Sequence, residues 1–512
     1  MSNNLKNKKV TVMGLGLHGG GVACVNWLAK QGAKVTVTDL KTKKDLRLSV
    51  DKVIKGKDVK FVFGKHHQSD FKKADLIVQN PGVPRESEYL KIAKKANVPI
   101  ENEASLFFKY CPAKIIGVTG TRGKSTTSSL IYEILRVSSF CHPESSSRVC
   151  EMPKQVRHDK KKVKAKVWLA GLPQKPMLEI LDKARKNDLV ILELSSWQLE
   201  ILGENKLSPE VAVFTNIYPD HLNRYSGMKE YIAAKKNIFM WQNSSGFSIL
   251  NLDNFETKKA GESVKGQRFW FSKKYFSEQN GVFLDGDIIC FRRDGQVSRL
   301  ADRKSIKLAG RHNLENILAA LSVAGIFKIK SNSIRKVLAD FSGLPGRIEL
   351  IREINGIEYI NDTTATTPDG AIAAIQSLSQ KNNIRPLRTK KQKNIILIAG
   401  GDTKNIPDKK YEELSRFVRQ KCKAVILFSG KGSDQFSAGL KKNNFRPLIS
   451  KANTMLKAIT IAKSFAEAGD IILLSPACSS FNLFKNEFDR GRQFNEIVNY
   501  SSLSNEKKNI RD

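Results

Sequence analysis

The stretch Gly117–Ser128, GVTGTRGKSTTS, decides how this chain is read. It follows the apolar run AKIIGV, which predicts a strand, and leads into SSLIYEIL, which predicts a helix. The common phosphate-loop pattern G-x-x-x-x-G-K-[ST] asks for a glycine five places before Gly123, where Val118 stands. Gly117, Gly120 and Gly123 nevertheless keep the backbone narrow. Lys124 supplies a cation for β- and γ-phosphates, and Ser125 or Thr126 a hydroxyl for Mg2+. A plain turn has no need of G-K-S-T at a helix start, so phosphate binding is the expected role.

Outward from this loop, strands and helices alternate, which predicts α/β layers. KKVTVMGLG leads into a helix at GVACVNWLAKQGA, and AKVTVTD, VKFVFG and ADLIVQN read as further strands. The first unit closes near Cys111-Pro112. A second runs from AKIIGVTG through DLVILELSS, EVAVFTN and the helix MKEYIAAKKNIFMW to NLENILAALSVAGIF and SIRKVLADF. A third follows GLPGR with GIEYIND, NIILIAGGD, KAVILFSG and DIILLSPA. The expected fold is α/β in three domains: a Rossmann-like domain over 1–111, a central P-loop ATPase-like parallel sheet with helices over 112–344, and a C-terminal Rossmann-like domain over 345–512. GLGLHGGG (Gly14–Gly21), with Asp39 closing the next strand, looks like a dinucleotide loop. A tight strand-to-helix turn explains it equally, and another nucleotide could use the same amides.

Bulk properties narrow the class. The 512 residues, 40% of them hydrophobic, are enough for about three domains. Lys and Arg number 87 against 50 Asp and Glu, a net charge of +37, which favours anionic partners. The basic residues are spread along the chain without a helix-turn-helix, zinc-finger or aromatic-basic RNA motif, so small anions rather than nucleic acid are expected. No apolar run is long enough for a membrane span, and the polar start passes straight into a strand. Seven scattered cysteines without a C-x-x-C pair fit reduced thiols and a cytoplasmic location.

GVTGTRGKSTT, LELSSWQLE, TNIYPDHLNRY followed by YIAAK, GRHNLEN, GLPGRIE, NDTTATTP, AGGDTK and LLSPACSSFN occur in the order seen in the Mur ligases. The resemblance spans about Lys9 to Phe494, and GLGLHGGG and NPGVP resemble the branch that adds D-glutamate to UDP-N-acetylmuramoyl-L-alanine. It implies an ATP- and Mg2+-dependent ligase of peptidoglycan precursor synthesis, working through an acyl phosphate, expected as a monomer that closes its domains around substrate.

By this resemblance Gly120, Thr121, Arg122, Gly123, Lys124, Ser125 and Thr126 cradle ATP phosphates, with Lys124 on the γ-phosphate. Asn313 and Asn316 meet adenine, and Arg347 and Asp362 meet phosphate and ribose. Ser125 and Glu193 serve one Mg2+ and His221 a second, while Lys235 of YIAAK matches the family's carbamylated lysine, with Lys236 the adjacent register. Leu15, Gly16, Leu17, His18, Asp39, Asn80 and Ser195 match the UDP-substrate positions, and Thr366, Lys404, Ser480 and Phe481 the D-glutamate positions. Each has a plainer alternative: a strand-end carboxylate for Glu193, a turn residue for His221, helix caps for the asparagines, and loop or turn roles for the rest.

Three departures stand out. A polar insertion at about 137–165 replaces a short connection, and its Cys141, His142, Cys150 and His158 fit no standard zinc spacing. The family's G-G-N-I-G is AGLPQ here, placing Leu172 where an asparagine meets the UDP-sugar, and GLPHR is GLPGR, with Gly346 for histidine. A lost hydrogen bond to substrate weakens binding by about 1–3 kcal/mol without removing phosphoryl chemistry. A sister ligase for another amino acid and an impaired nucleotide-binding scaffold stay open as alternatives.

Overall fold

The computed structural model describes residues 5–506 except 18, 55, 57, 85, 139–164, 173–174, 221–223, 309–310, 381–394, 404–405, 444–448 and 481–482. The insertion at 137–165 therefore lies almost wholly outside the described residues. Three sheets carry the chain. The first orders its strands β3-β2-β1-β4-β5, all parallel: β1 (Lys9–Met13), β2 (Lys34–Asp39), β3 (Val59–Phe63), β4 (Leu76–Gln79) and β5 (Ile100–Glu101).

The second sheet has nine strands in the order β14-β13-β12-β11-β10-β9-β6-β8-β7. They are β6 (Lys114–Thr119), β7 (Val167–Ala170), β8 (Leu189–Glu193), β9 (Val211–Phe214), β10 (Phe247–Asn251), β11 (Gln267–Ser272), β12 (Gly281–Asp285), β13 (Ile288–Arg293) and β14 (Gln296–Asp302). The third is β15-β16-β20-β17-β18-β19, from β15 (Glu349–Ile354), β16 (Ile357–Asn361), β17 (Ile395–Gly400), β18 (Cys422–Phe428), β19 (Ile449–Ala452) and β20 (Ile471–Leu474). Central strands such as β9, β17 and β20 are buried at every position, as apolar parallel strands covered on both faces must be.

The topology decides where chemistry can gather. β1 lies between β2 and β4, β6 between β8 and β9, and β20 between β16 and β17. At each place neighbouring connections leave in opposite directions, opening a crevice at the carboxyl ends of the strands. Register brings Val118 beside Glu193 and Thr119 beside Phe214, so the loops after β6, β8 and β9 share one edge.

The helix expected over 21–33 spans Gly20–Lys30 and stops before the Gln31-Gly32 turn. The helix after the phosphate loop starts at Lys124 and runs to Val137. The sequence reading missed the antiparallel extension β12–β14, although the two-residue turn Asp294-Gly295 joining β13 to β14 is a hairpin signal. By contacts the chain divides into two compact units, the first of Met1–Lys307 and His312–Phe341, the second of Leu308–Arg311 and Ser342–Asp512. The first holds the first two sheets and the second holds the third. Among the described residues no helix is long and apolar enough to cross a membrane.

Candidate active site

The loop between β6 and the helix Lys124–Val137 is pinned from outside itself. Thr121 N donates to Asn216 O at 2.9 Å, Arg122 N to Asn216 Oδ1 at 2.9 Å, and Thr215 Oγ1 to Arg122 O at 2.7 Å. Thr215 and Asn216 directly follow β9, so the carboxyl edge of the sheet shapes the loop. Gly120 (φ 152°) and Gly123 (φ 83°) lie where a Cβ would overlap Thr215 Oγ1 and Asn316 Oδ1 respectively. Glycine is required at both places because the backbone passes against fixed polar atoms.

Two lysines converge on this loop. Lys124 Nζ donates to Gly120 O at 3.1 Å and Thr121 O at 3.3 Å, folding back over the loop it follows. Lys235, on the helix Met228–Met240, is 2% exposed; its Nζ donates to Gly120 O at 2.9 Å and Thr119 Oγ1 at 3.5 Å. Burial, reinforced by Lys124, holds the Lys235 ammonium well below the ordinary lysine range, against the opposing pull of Asp220 and Glu193. The Tyr231 ring lies 4.9 Å from the same Nζ. Lys236 turns elsewhere, donating to Ser263 Oγ at 2.6 Å. That separates the two adjacent registers.

Glu193 ends β8 on the same edge, and its buried Oε2 has no hydrogen-bond partner among the described residues. A buried, unsatisfied carboxylate oxygen is costly unless a donor or cation meets it. His221 lies outside the described residues, and no cluster of three metal-ligating side chains occurs among those that are described. Ser125 and Thr126 are buried in the first helical turn beside Lys124. Asn313 lies in the first turn of the helix Arg311–Ile326, as expected, and Asn316 in the turn after it. Asn316 Oδ1 accepts from Thr127 Oγ1 at 3.4 Å, and its Nδ2 donates to Asn313 Oδ1 at 3.2 Å.

At the first sheet, the Asp39 carboxylate accepts from Leu15 N (2.9 Å), Gly16 N (3.3 Å) and Lys41 N (2.9 Å). Asp39 therefore shapes the glycine loop, occupying amides that the dinucleotide reading left for phosphate. The Leu15 side chain is fully buried and offers a ligand only its backbone, whereas Leu17 is exposed. Asn80 packs against Gly14 and Gly16 and accepts from Gly82 N at 3.1 Å. His18 is outside the described residues. Ser195 is the N-cap of the helix Ser196–Glu204, in a capping box with Gln198, so its hydroxyl is engaged locally.

In the second unit, Asp362 is buried, accepting from Ser475 Oγ at 2.8 Å and Ile348 N at 3.2 Å. Burial pushes its carboxyl up to about 7, with Arg347 opposing. Arg347 itself is exposed, Thr366 N donates to Thr364 O, and Ser480 Oγ is buried without a partner among the described residues. Lys404 and Phe481 lie outside those residues. Gly346 occupies a left-handed turn (φ 68°), and its carbonyl accepts from Thr364 N and Oγ1. A Cβ there would crowd Thr363 Cγ2, which gives this glycine a packing reason. The sequence reading also passed over Arg490. It is fully buried and donates to Thr363 Oγ1 (3.1 Å), Thr363 O (2.9 Å) and Cys478 O (3.4 Å), tying the loops that carry Thr366 and Ser480. An arginine in NEFDRGRQF gives no local sign of burial.

Residues 8–102 match the Mur ligase MurD-like N-terminal domain, 118–324 the Mur ligase middle domain and 346–478 the Mur ligase glutamate ligase domain. The chain is 37% identical over 502 residues to the UDP-N-acetylmuramoylalanine--D-glutamate ligase of Roseiflexus sp. (strain RS-1), covering 96% of this chain and 99% of that protein. It is 34% identical over 501 residues to the enzyme of the same description from Acetivibrio thermocellus, covering 97% of each. Among solved structures, the UDP-N-acetylmuramate-alanine ligase MurC from Thermotoga maritima matches with a TM-score of 0.57 at 16% identity, covering 97% of this chain and 100% of that one, a likeness of fold alone.

The chain belongs to the Mur ligase family, whose members use ATP. Within that family its N-terminal domain is of the MurD-like type, and its full-length likeness is to the D-glutamate ligases.

Proposed function

We propose that this chain joins D-glutamate to UDP-N-acetylmuramoyl-L-alanine at the expense of ATP, in peptidoglycan precursor synthesis. The observation that carries the reading is full-length likeness at 37% and 34% identity to D-glutamate ligases, together with the MurD-like N-terminal match. A carboxylate oxygen of the UDP-substrate attacks the γ-phosphorus and ADP leaves. The amine of D-glutamate then attacks the acyl carbon, loses a proton, and phosphate departs as the amide forms. Charge builds on transferring phosphoryl oxygens, so cations and amides fixed before reaction are the main device available.

The proposed division of labour assigns 1–111 to the UDP-substrate, 112–344 to ATP and 345–512 to the amino acid. Gly120–Thr126 cradle the phosphates with Lys124 on the γ-phosphate, and Asn313 and Asn316 face adenine. Arg347 and Asp362 serve phosphate and ribose, and Thr366, Lys404, Ser480 and Phe481 serve D-glutamate. A divalent cation fits the donor set: Glu193 Oε2 is buried without a partner among the described residues and Ser125 stands at the loop, with His221 the third candidate. Mg2+ bound there would neutralise phosphate charge. Addition of CO2 to Lys235, with loss of one proton from the ammonium and a second as the N–C bond forms, would replace the ammonium by a carboxylate beside the same loop.

The decisive test is phosphate release from ATP with UDP-N-acetylmuramoyl-L-alanine and a panel of amino acids. D-glutamate is expected to give the fastest turnover. Preference for another amine donor would reject the assignment, and ATP binding without acceptor-dependent turnover would favour a scaffold.

A further inference from the structure

One side chain outside every step above joins the first two sheets. Arg224 has a side chain 15% exposed, and its guanidinium carbon lies 4.8 Å from the centroid of the Trp197 ring. Its Nη2 donates to Glu200 Oε2 at 3.4 Å, and its Nη1 donates to Pro81 O at 3.4 Å and Val83 O at 3.5 Å. Trp197 and Glu200 belong to the helix Ser196–Glu204, which begins three residues after Glu193. Pro81 and Val83 belong to the loop after β4, whose Asn80 packs against Gly14 and Gly16. One guanidinium thus touches the helix behind the candidate phosphoryl edge and the loop bracing the candidate UDP loop.

The residue type matters. The Glu200 side chain is 4% exposed, so its carboxylate needs a cation close by. A guanidinium can stack its face on Trp197 while its edge donates in two directions; a lysine ammonium is a point charge that cannot do both.

We propose that Arg224 is a positioning residue that fixes the loop 80–84 relative to the helix Ser196–Glu204, and so sets the spacing that a UDP-sugar substrate spanning both must match. The inference rests on the proposed function, because it needs a substrate with its nucleotide at one sheet and its carboxylate at the other. A rigid span removes the ordering cost from the full substrate but leaves a fragment that occupies one end unaffected.

The test uses full-length protein and the variants Arg224→Met and Arg224→Lys. Dissociation constants are measured for UDP alone, for ATP and for UDP-N-acetylmuramoyl-L-alanine, alongside steady-state KM and kcat. Misplacement by about an ångström typically costs up to a hundredfold, so Arg224→Met is expected to raise Kd and KM for the full substrate roughly tenfold. UDP and ATP should change less than about twofold, and Arg224→Lys should fall between, keeping the charge beside Glu200 but not the stack.

An unchanged affinity for the full substrate in both variants overturns the inference. So does an equal loss for UDP, which would mark a purely local loop defect. Should Arg224→Met fail to fold, Arg224→Lys alone decides by the same comparison. Wild-type protein that binds no UDP-sugar and shows no D-glutamate-dependent turnover removes the proposed function and this inference together; normal wild-type turnover with unaltered variants removes only the inference.

Discussion

Glu103 offers the sharpest test of how the first two sheets are joined. It opens the helix Glu103–Tyr110, and its side chain is buried, with Oε1 accepting from Met177 N at 2.6 Å and Leu178 N at 3.4 Å. Burial raises the carboxyl from its ordinary 4.5 to about 7, although the two amides pull the other way. The sign follows from linkage. Below the unfolded value both states hold the proton. As pH rises towards 7 the unfolded chain releases its proton first, so stability falls, and above 7 the loss is complete. The cost of ionising this buried group is about 3 kcal/mol.

Glu103→Gln keeps an oxygen to accept from Met177 N but removes the charge. Near pH 5 the variant should be more stable than wild type by less than about 1 kcal/mol, and near pH 8 by up to about 3 kcal/mol. Asp362 has a similarly raised carboxyl and would add the same trend, but it lies in the second unit. All five tryptophans, at 27, 168, 197, 241 and 270, belong to the first unit, so urea unfolding followed by tryptophan fluorescence reads the relevant part. A difference between variant and wild type that does not change from about pH 5 to about pH 8 would show that Glu103 is ionised throughout, and would refute the reasoning.

Three further outcomes are expected. Lys124→Ala should cut D-glutamate-dependent phosphate release by at least about a hundredfold, with the urea midpoint unchanged; near-normal turnover would remove its proposed role. Gly123→Ala should abolish ATP binding in calorimetry, because its Cβ would overlap Asn316 Oδ1 in a left-handed turn, and wild-type affinity would show that the loop can rearrange cheaply. Leu172→Asn should lower KM for the UDP-substrate by roughly five- to a hundredfold while leaving ATP affinity alone, since it restores a polar partner; an unchanged KM would mean that the departure at AGLPQ carries no binding cost.

The sequence by itself determined the strand-loop-helix around GVTGTRGKSTTS, the three runs of alternating strands and helices, and the family. Apolar periodicity and glycine spacing act within a few residues or a few turns, and the family is carried by the order of short motifs along the chain. Lys124 was legible because a lysine at a helix start after glycines has few other uses, and Lys235 because YIAAK follows TNIYPDH. Tertiary structure alone decided which side chains are free. It put Asp39 onto the amides of Leu15 and Gly16, separated Lys235 from Lys236, and left Glu193 Oε2 buried without a partner among the described residues. Arg224 and Arg490 look like surface charges in the sequence, and only folding surrounds them. The hydrogen bonds of Arg224 to Pro81 and of Arg490 to Thr363 join residues more than a hundred positions apart, and strand order at the three switch points brings such residues together.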